Sequence, residues 1–265
     1  MKYPGRLIKV GEKDPAVVKA LRSKLNKLLA FGPGSPEHLD EANPAFNADV
    51  SRMVKFFQSR SVDANGRELK ADGVIGAITW AVLFGDASVP QSAAATDALL
   101  ARVLAIAGKE ADQNVREVPP NSNLGSRVEA YQKRAGSPKG LAWCCSFTYW
   151  CFDDAAIAMQ KKNPMVKTAG CIDHWTRAAA AGAIRIKKAE ALADPSLVKA
   201  GMIFIMSHGK GLGHTGFVES VKGGLLSTIE GNTDASKSRE GGGVYRLQRK
   251  SSDSQLLGFI DYSGR

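Results

Sequence analysis

The apolar residues of this chain recur at helical spacing in its first two thirds and alternate from about residue 202 onward. That change of period limits the fold more than any single motif. Met202-Ile203-Phe204-Ile205-Met206, Thr215 to Val221, Leu225 to Ile229, Val244 to Leu247 and Leu256 to Tyr262 read as strands. Glycines gather between them, at Gly209, Gly211 and Gly213, at Gly223-Gly224 and at Gly241-Gly242-Gly243. Strands joined by such turns predict an antiparallel sheet. Upstream, helices are expected from Leu99 to Lys109, from near Ser126 through Val128 and Tyr131, from Cys144 towards Gln160, and from Trp175 to Ala180. Helices first and sheet second is an α+β layout. No G-x-G-x-x-G follows a strand and opens a helix, so the glycine runs read as turns and not as phosphate cradles.

Residues 1–88 have a different character. Asp14 followed by Pro15 is a helix start, and Val17, Val18, Leu21, Leu25, Leu28 and Leu29 fall on one face. A Gly/Pro/Ser loop (Gly32 to Pro36) ends it, and a second helix carries Val50, Met53, Val54, Phe56 and Phe57. Asp72-Gly73-Val74-Ile75-Gly76 makes a turn before a short helix, Ala77 to Phe84, that stops at Gly85. Residues 86–97 are small and polar, the composition of a linker. The expected division is a helical unit (1–88), a linker (89–97) and a larger second unit (98–265).

A chain of 265 residues with 44% hydrophobic and 23% charged residues buries a core easily. No run of about 18 apolar residues offers a membrane span. Met1 to Leu7 carries no apolar h-region and no small-residue cleavage site, so synthesis in the cytoplasm and delivery by another route are expected. Thirty-six Lys plus Arg against 26 Asp plus Glu give a formal charge of +10, which favours a polyanionic partner. Without basic blocks interleaved with aromatics, or a helix-turn-helix or zinc-finger spacing, nucleic acid is not the expected one.

Three of the four cysteines, Cys144, Cys145 and Cys151, lie in one stretch, with Cys171 beyond it. The spacing contains no C-x-x-C, so neither a zinc site nor a disulfide framework is expected, and adjacent Cys144 and Cys145 could bond only through a strained ring. Ser137-Pro138-Lys139-Gly140 favours a turn and then a new helix start. A cysteine in that first turn meets free N–H groups and the positive end of the helix dipole, both of which favour thiolate. A nucleophile then needs a base. His38 lies in a loop of the first unit, His174 in a helical stretch and His208 in a turn. His214 opens a strand after Gly213, where the backbone is rigid and the approach open. The next strand ends Glu230-Gly231-Asn232, and a period of two puts Glu230 and Asn232 on one side. Either is expected to accept the Nδ1 proton of His214 and leave Nε2 for the cysteine.

Two resemblances follow from these residues. Val10-Gly11, Val17 or Val18 with Leu21, Phe57-Gln58, and Asp72-Gly73 with Gly76, Thr79 and Ala81 resemble the peptidoglycan-binding domain 1 family of three-helix wall-binding modules, with Phe57-Gln58 placed ahead of Asp72-Gly73. Trp143-Cys144-x-x-Phe147, Gly213-His214-x-Gly216-x-Val218-Glu219 and Ile229-Glu230-Gly231-Asn232-Thr233, after Glu117-x-Pro119-x-x-Ser122-Asn123, resemble the CHAP (cysteine, histidine-dependent amidohydrolase/peptidase) family. That likeness implies a papain-like fold and cleavage of amide bonds in peptidoglycan. Carried over by position, Cys144 is the nucleophile, His214 the base and acid, Glu230 the orienter and Asn232 a second polar partner. Trp143 is implied at the substrate, and Asp72, Gly73 and Thr79 at the wall ligand. Cys145 is a departure, where the family more often has Ala. A shift of one residue turns a helical side chain by about 100°, so one thiol alone can face the cleft. Backbone N–H of Cys144 is expected to hold the oxyanion.

The resulting expectation is a peptidoglycan amidase or stem endopeptidase with neither metal nor cofactor, monomeric, and similar to phage endolysins. An antibacterial effector injected by a secretion system fits equally, with peptidoglycan, an anionic outer membrane or an immunity protein as partners. A non-catalytic wall-binding or phage structural protein, and a glycosidase with paired carboxylates, are the other classes.

Overall fold

The computed structural model describes residues 1–237 and 241–265. In the first unit α1 (Pro15–Leu29) starts where the Asp14 carboxylate accepts the Ala16 and Val17 N–H groups, with Pro15 at the first helical position. Asn47 caps α2 (Ala48–Gln58) in the same way, accepting from the Val50 N–H at 3.2 Å. α3 (Ala77–Phe84) ends on Gly85. Val17, Val18, Leu21, Leu25, Val50, Val54 and Trp80 pack one core. Phe56 falls off the apolar face of α2 and is exposed.

The chain around residues 89–97 does not hang loose. Val89 is buried in the first core, and Ser92 exchanges both backbone hydrogen bonds with Val221 (3.0 and 2.7 Å). Its hydroxyl also accepts from the Ala200 N–H at 2.9 Å. Arg67 adds a bond to the Gln248 carbonyl, and Lys250 an ion pair with Asp63 at 3.4 Å. A polar, small-residue composition therefore marks a segment pinned by its backbone, whose register no side-chain pattern reveals.

The second unit begins with α4 (Ala98–Asp112), α5 (Ser126–Ala135) and α6 (Cys144–Ala158). α6 packs against both other helices and against two central strands, and nearly every residue from Cys144 to Phe152 is buried. A helix covered on all sides has no polar stripe, so its sequence shows no amphipathic period. α4 and α5 are held together by the buried Glu110 carboxylate, which pairs with the exposed Arg127 and accepts the Tyr131 hydroxyl.

α7 (Cys171–Arg177) starts earlier than the expected Trp175, because Cys171 and His174, one turn apart, form its buried face. Then come β1 (Ile184–Lys187), α8 (Lys188–Ala193), β2 (Ile203–Gly209), β3 (Leu212–Lys222), β4 (Leu225–Thr233), β5 (Gly243–Lys250) and β6 (Leu256–Asp261). All pairings are antiparallel, in the order β1-β6-β2-β3-β4-β5. β1 and α8 were not expected. β1 has four residues and only one neighbour, too little alternation to read from sequence. Phe217 and Ile229 meet the helices on one side of the sheet, whereas Phe204 and Val218 join α8 residue Ala191 in a separate cluster.

Candidate active site

Cys144 is the first residue of α6, and the first capping bond there runs from the Phe147 N–H to the Trp143 carbonyl (2.8 Å). The N–H groups of the first turn are thus free of helical acceptors. The one on Cys145 adds to the lowering of the Cys144 thiol. The mouth of the helix is fixed by its neighbour: the Trp143 N–H donates to Asn232 Oδ1 at 2.6 Å, and the Trp143 indole N–H donates to Glu117 Oε1 at 2.8 Å. Gly231 lets β4 come this close, since a Cβ there would lie 2.8 Å from both Phe147 Cγ and Trp143 Cζ3.

His214, near the start of β3, is buried and lies beside Phe204. Its Nε2 is 2.8 Å from Glu230 Oε2. Gly216 makes this possible, because a Cβ on it would stand 2.8 Å from Glu230 Cγ and 3.0 Å from the Phe204 ring. Glu230 is fully buried and fully partnered. Arg249 holds it with two bonds of 2.6 Å, Nε to Oε1 and Nη2 to Oε2, and the Thr228 hydroxyl donates to Oε1 at 2.5 Å.

Two expectations about this histidine are corrected. Glu230 takes Nε2, so Nδ1 is the nitrogen left for the Cys144 thiol, the reverse of the expected assignment. Asn232 is not a partner of the ring. A bulge between Glu230 and Thr233 breaks the period of two, and Asn232 takes a left-handed backbone (φ 56°). Its amide then spans from the Trp143 N–H to the Gly241 carbonyl. Removing that acceptor leaves a buried N–H unpaired, so Asn232→Ala is expected to cost about 1–3 kcal/mol, measured by thermal or chaotrope unfolding.

Trp143 is corrected as well. It is wholly buried, with its ring among Tyr131 and Phe147, so it supports α6 and offers no face to a substrate. In the first unit, Gln58 collects the three expected wall-ligand residues. Its Oε1 accepts the Gly73 N–H at 2.9 Å, and its Nε2 reaches Asp72 Oδ1 and Thr79 Oγ1 at 3.4 and 3.3 Å. Asp72 and Thr79 also line a cavity of about 420 Å³ together with Lys70, Lys188 and Lys250.

The electrostatics follow from these contacts. The Cys171 sulfur 3.5 Å away lowers the Cys144 thiol and, against the opposing effect of burial, the imidazole of His214 adds to it. Cys144 is thereby held well below the usual thiol range. Burial pulls His214 down, but the neighbouring Cys144, the bond to Glu230 and the negative charge of both carry it up to about 9. Burial pushes Glu230 up, yet the bonds from His214 and Arg249 hold it down at about 2. All three shifts favour the charged forms, thiolate, imidazolium and carboxylate.

The Cys145 Sγ lies 3.6 Å from the Thr168 carbonyl, and Cys171 and His174 lower its thiol to about 6 against the effect of burial, whereas the Cys151 thiol is pushed well up by desolvation. His174 is buried against Tyr262, its Nε2 2.9 Å from the hydroxyl, and His38 Nδ1 lies 2.8 Å from the Phe31 carbonyl. Among the described residues, no cluster of His, Cys, Asp or Glu side chains could hold a metal ion.

Arg249, Thr228, Cys171 and the supporting role of Glu117 were not read as parts of the site from sequence. Arg249 stands opposite Leu226 in the ladder and reaches Glu230 along the strand, a relation that needs the register of β4 against β5.

No curated protein and no solved structure matches the chain. Residues 136–232, the stretch that carries Cys144, His214, Glu230 and Asn232, match the CHAP domain.

Proposed function

We propose that the chain hydrolyses an amide bond of peptidoglycan with Cys144 as nucleophile, His214 as acid and base, and Glu230 as the residue that orients the imidazole. The observation that carries this reading is the buried line Arg249–Glu230–His214 ending at a thiol on the first turn of α6. Cys144 thiolate attacks the scissile carbonyl carbon, and the oxygen takes up negative charge beside the unsatisfied Cys144 N–H. His214 gives its Nδ1 proton to the leaving amine. A water molecule, deprotonated by the same nitrogen, then releases the acyl group and restores the thiol. Glu230 stabilises the imidazolium and fixes its tautomer, while Arg249 and Thr228 keep the carboxylate ionised and in place.

The residues 1–88 serve in this reading as a wall-directed unit, supported by their likeness to peptidoglycan-binding modules and by the net charge of +10. A wall-binding unit beside an amide hydrolase suits a phage endolysin that acts on the host wall as a monomer. Digestion of purified peptidoglycan followed by mass analysis tests the chemistry and names the bond. New amino groups are expected, from either the lactyl–alanine link or the peptide stem. New reducing ends without amines would replace this reading by a glycosidase, and an unchanged wall would sink it.

A further inference from the structure

Cys144 does not face His214 alone. The Sγ of Cys171, at the first residue of α7, is 3.5 Å from its own Sγ. Cys171 is held there from behind, since a Cβ added to Gly213 would come within 3.0 Å of the Cys171 Cβ. All four cysteines are free. We propose that Cys144 and Cys171 form a peroxide-reactive dithiol, a modification site at which the nucleophile is reversibly stored as a disulfide.

A disulfide bond is about 2 Å long, so the two sulfurs need approach by only about 1.5 Å, within the reach of side-chain rotation. Cys145 is a poorer partner in spite of its adjacency, because its sulfur is directed to the Thr168 carbonyl and a bond between neighbouring residues closes a strained ring. Cys151 is the thiol that desolvation keeps protonated beside Glu110 and Asp154. The thiolate and not the thiol attacks peroxide, and of the two lowered thiols, Cys144 and Cys145, Cys144 is the one whose sulfur stands 3.5 Å from that of Cys171. Cys171 enters the second step as a thiol, and its proton leaves with the hydroxyl of the sulfenic acid.

The chemistry balances with hydrogen peroxide as the oxidant. Cys144 thiolate attacks one peroxide oxygen, the O–O bond breaks, and the departing hydroxide takes the His214 proton to leave as water. The product is a sulfenic acid. Cys171 sulfur attacks the Cys144 sulfur, the S–O bond breaks, and the hydroxyl leaves as a second water with the Cys171 proton. Two thiols are oxidised and one peroxide is reduced. The disulfide removes the nucleophile and also blocks further oxidation to sulfinic acid, which simple thiols do not reverse.

The activity readout rests on the hydrolase reading, and the mass readout does not. Purified protein is treated with hydrogen peroxide, and then intact mass, non-reducing peptide maps and peptidoglycan hydrolysis are recorded before and after dithiothreitol. Wild-type protein is expected to lose two hydrogens, to yield a Cys144–Cys171 cross-linked peptide, and to lose hydrolysis that dithiothreitol restores. Cys171→Ser is expected to gain two or three oxygens on Cys144, with no recovery, and Cys145→Ala is expected to give the same cross-link as wild type. Oxygen gain on wild-type Cys144 without a cross-link, or a Cys144–Cys145 cross-link, would overturn the proposal without reference to any variant. A cross-link in protein that never hydrolyses peptidoglycan would remove the function and leave the dithiol standing.

Discussion

Cys144→Ala is expected to lower the rate of amide hydrolysis in purified peptidoglycan by about 10⁴-fold or more, the scale on which loss of a nucleophile acts in comparable sites. Cys145→Ala is expected to keep the rate and to cost about 1 kcal/mol of stability instead, as a small packing defect does. The contrast follows from direction on one helix. Both thiols are buried, but Cys144 stands beside His214, whereas Cys145 lies against the Thr168 carbonyl, Cys171 and His174. Release of amino groups over time, compared with melting curves for both variants, measures the difference. Equal activity in wild type and Cys144→Ala would remove Cys144 from the chemistry.

The second large effect concerns the charge behind the histidine. Glu230→Gln leaves the Arg249 guanidinium buried without its counter-charge, and breaking a buried pair from one side costs about 3–5 kcal/mol. Adding Arg249→Met is expected to return much of that stability and none of the activity, because the imidazole still lacks its carboxylate. The pH dependence has a definite sign. Glu230 is one of the groups that raise His214 to about 9, so its loss moves the alkaline limb of kcat/KM to lower pH. Stability follows the same linkage. The contribution of Glu230, lowered to about 2, is complete above its ordinary value of 4.5 and is lost as pH falls through about 2. That of His214, raised to about 9, is complete below its ordinary value of 6.5 and is lost as pH rises through about 9. Melting curves at acid and alkaline pH, read with the activity profile, test both directions.

What could be read in advance depended on how local the relation was. Asp14-Pro15 and the helical spacing after it placed α1, and the turn before Leu141 placed the start of α6, because caps and turns are short-range. His214 and Glu230 came together because each lies on a strand of alternating residues, joined by the Gly223-Gly224 turn. The same alternation misplaced Asn232, where a bulge turns one residue out of step. It could not show which ring nitrogen Glu230 would reach, since that depends on side-chain length across paired strands. Arg249 was hidden for the same reason: a strand arginine in Val244-Tyr245-Arg246-Leu247-Gln248-Arg249 looks like surface until the ladder places it opposite Leu226, from where its side chain reaches Glu230. Trp143 was read as a substrate contact, but its indole N–H finds Glu117, 26 residues upstream, and draws it into the core.

The distinction between the two adjacent thiols is the centre of this account, and alkylation reads it directly. Wild-type protein in reductant at neutral pH is treated with less than one equivalent of iodoacetamide and mapped by peptide mass. The label is expected on Cys144, with Cys145, Cys151 and Cys171 unmodified, and its rate is expected to fall in His214→Ala. Label accumulating first on Cys145, or on Cys144 at an unchanged rate without His214, would contradict the assignment of Cys144 as the activated nucleophile.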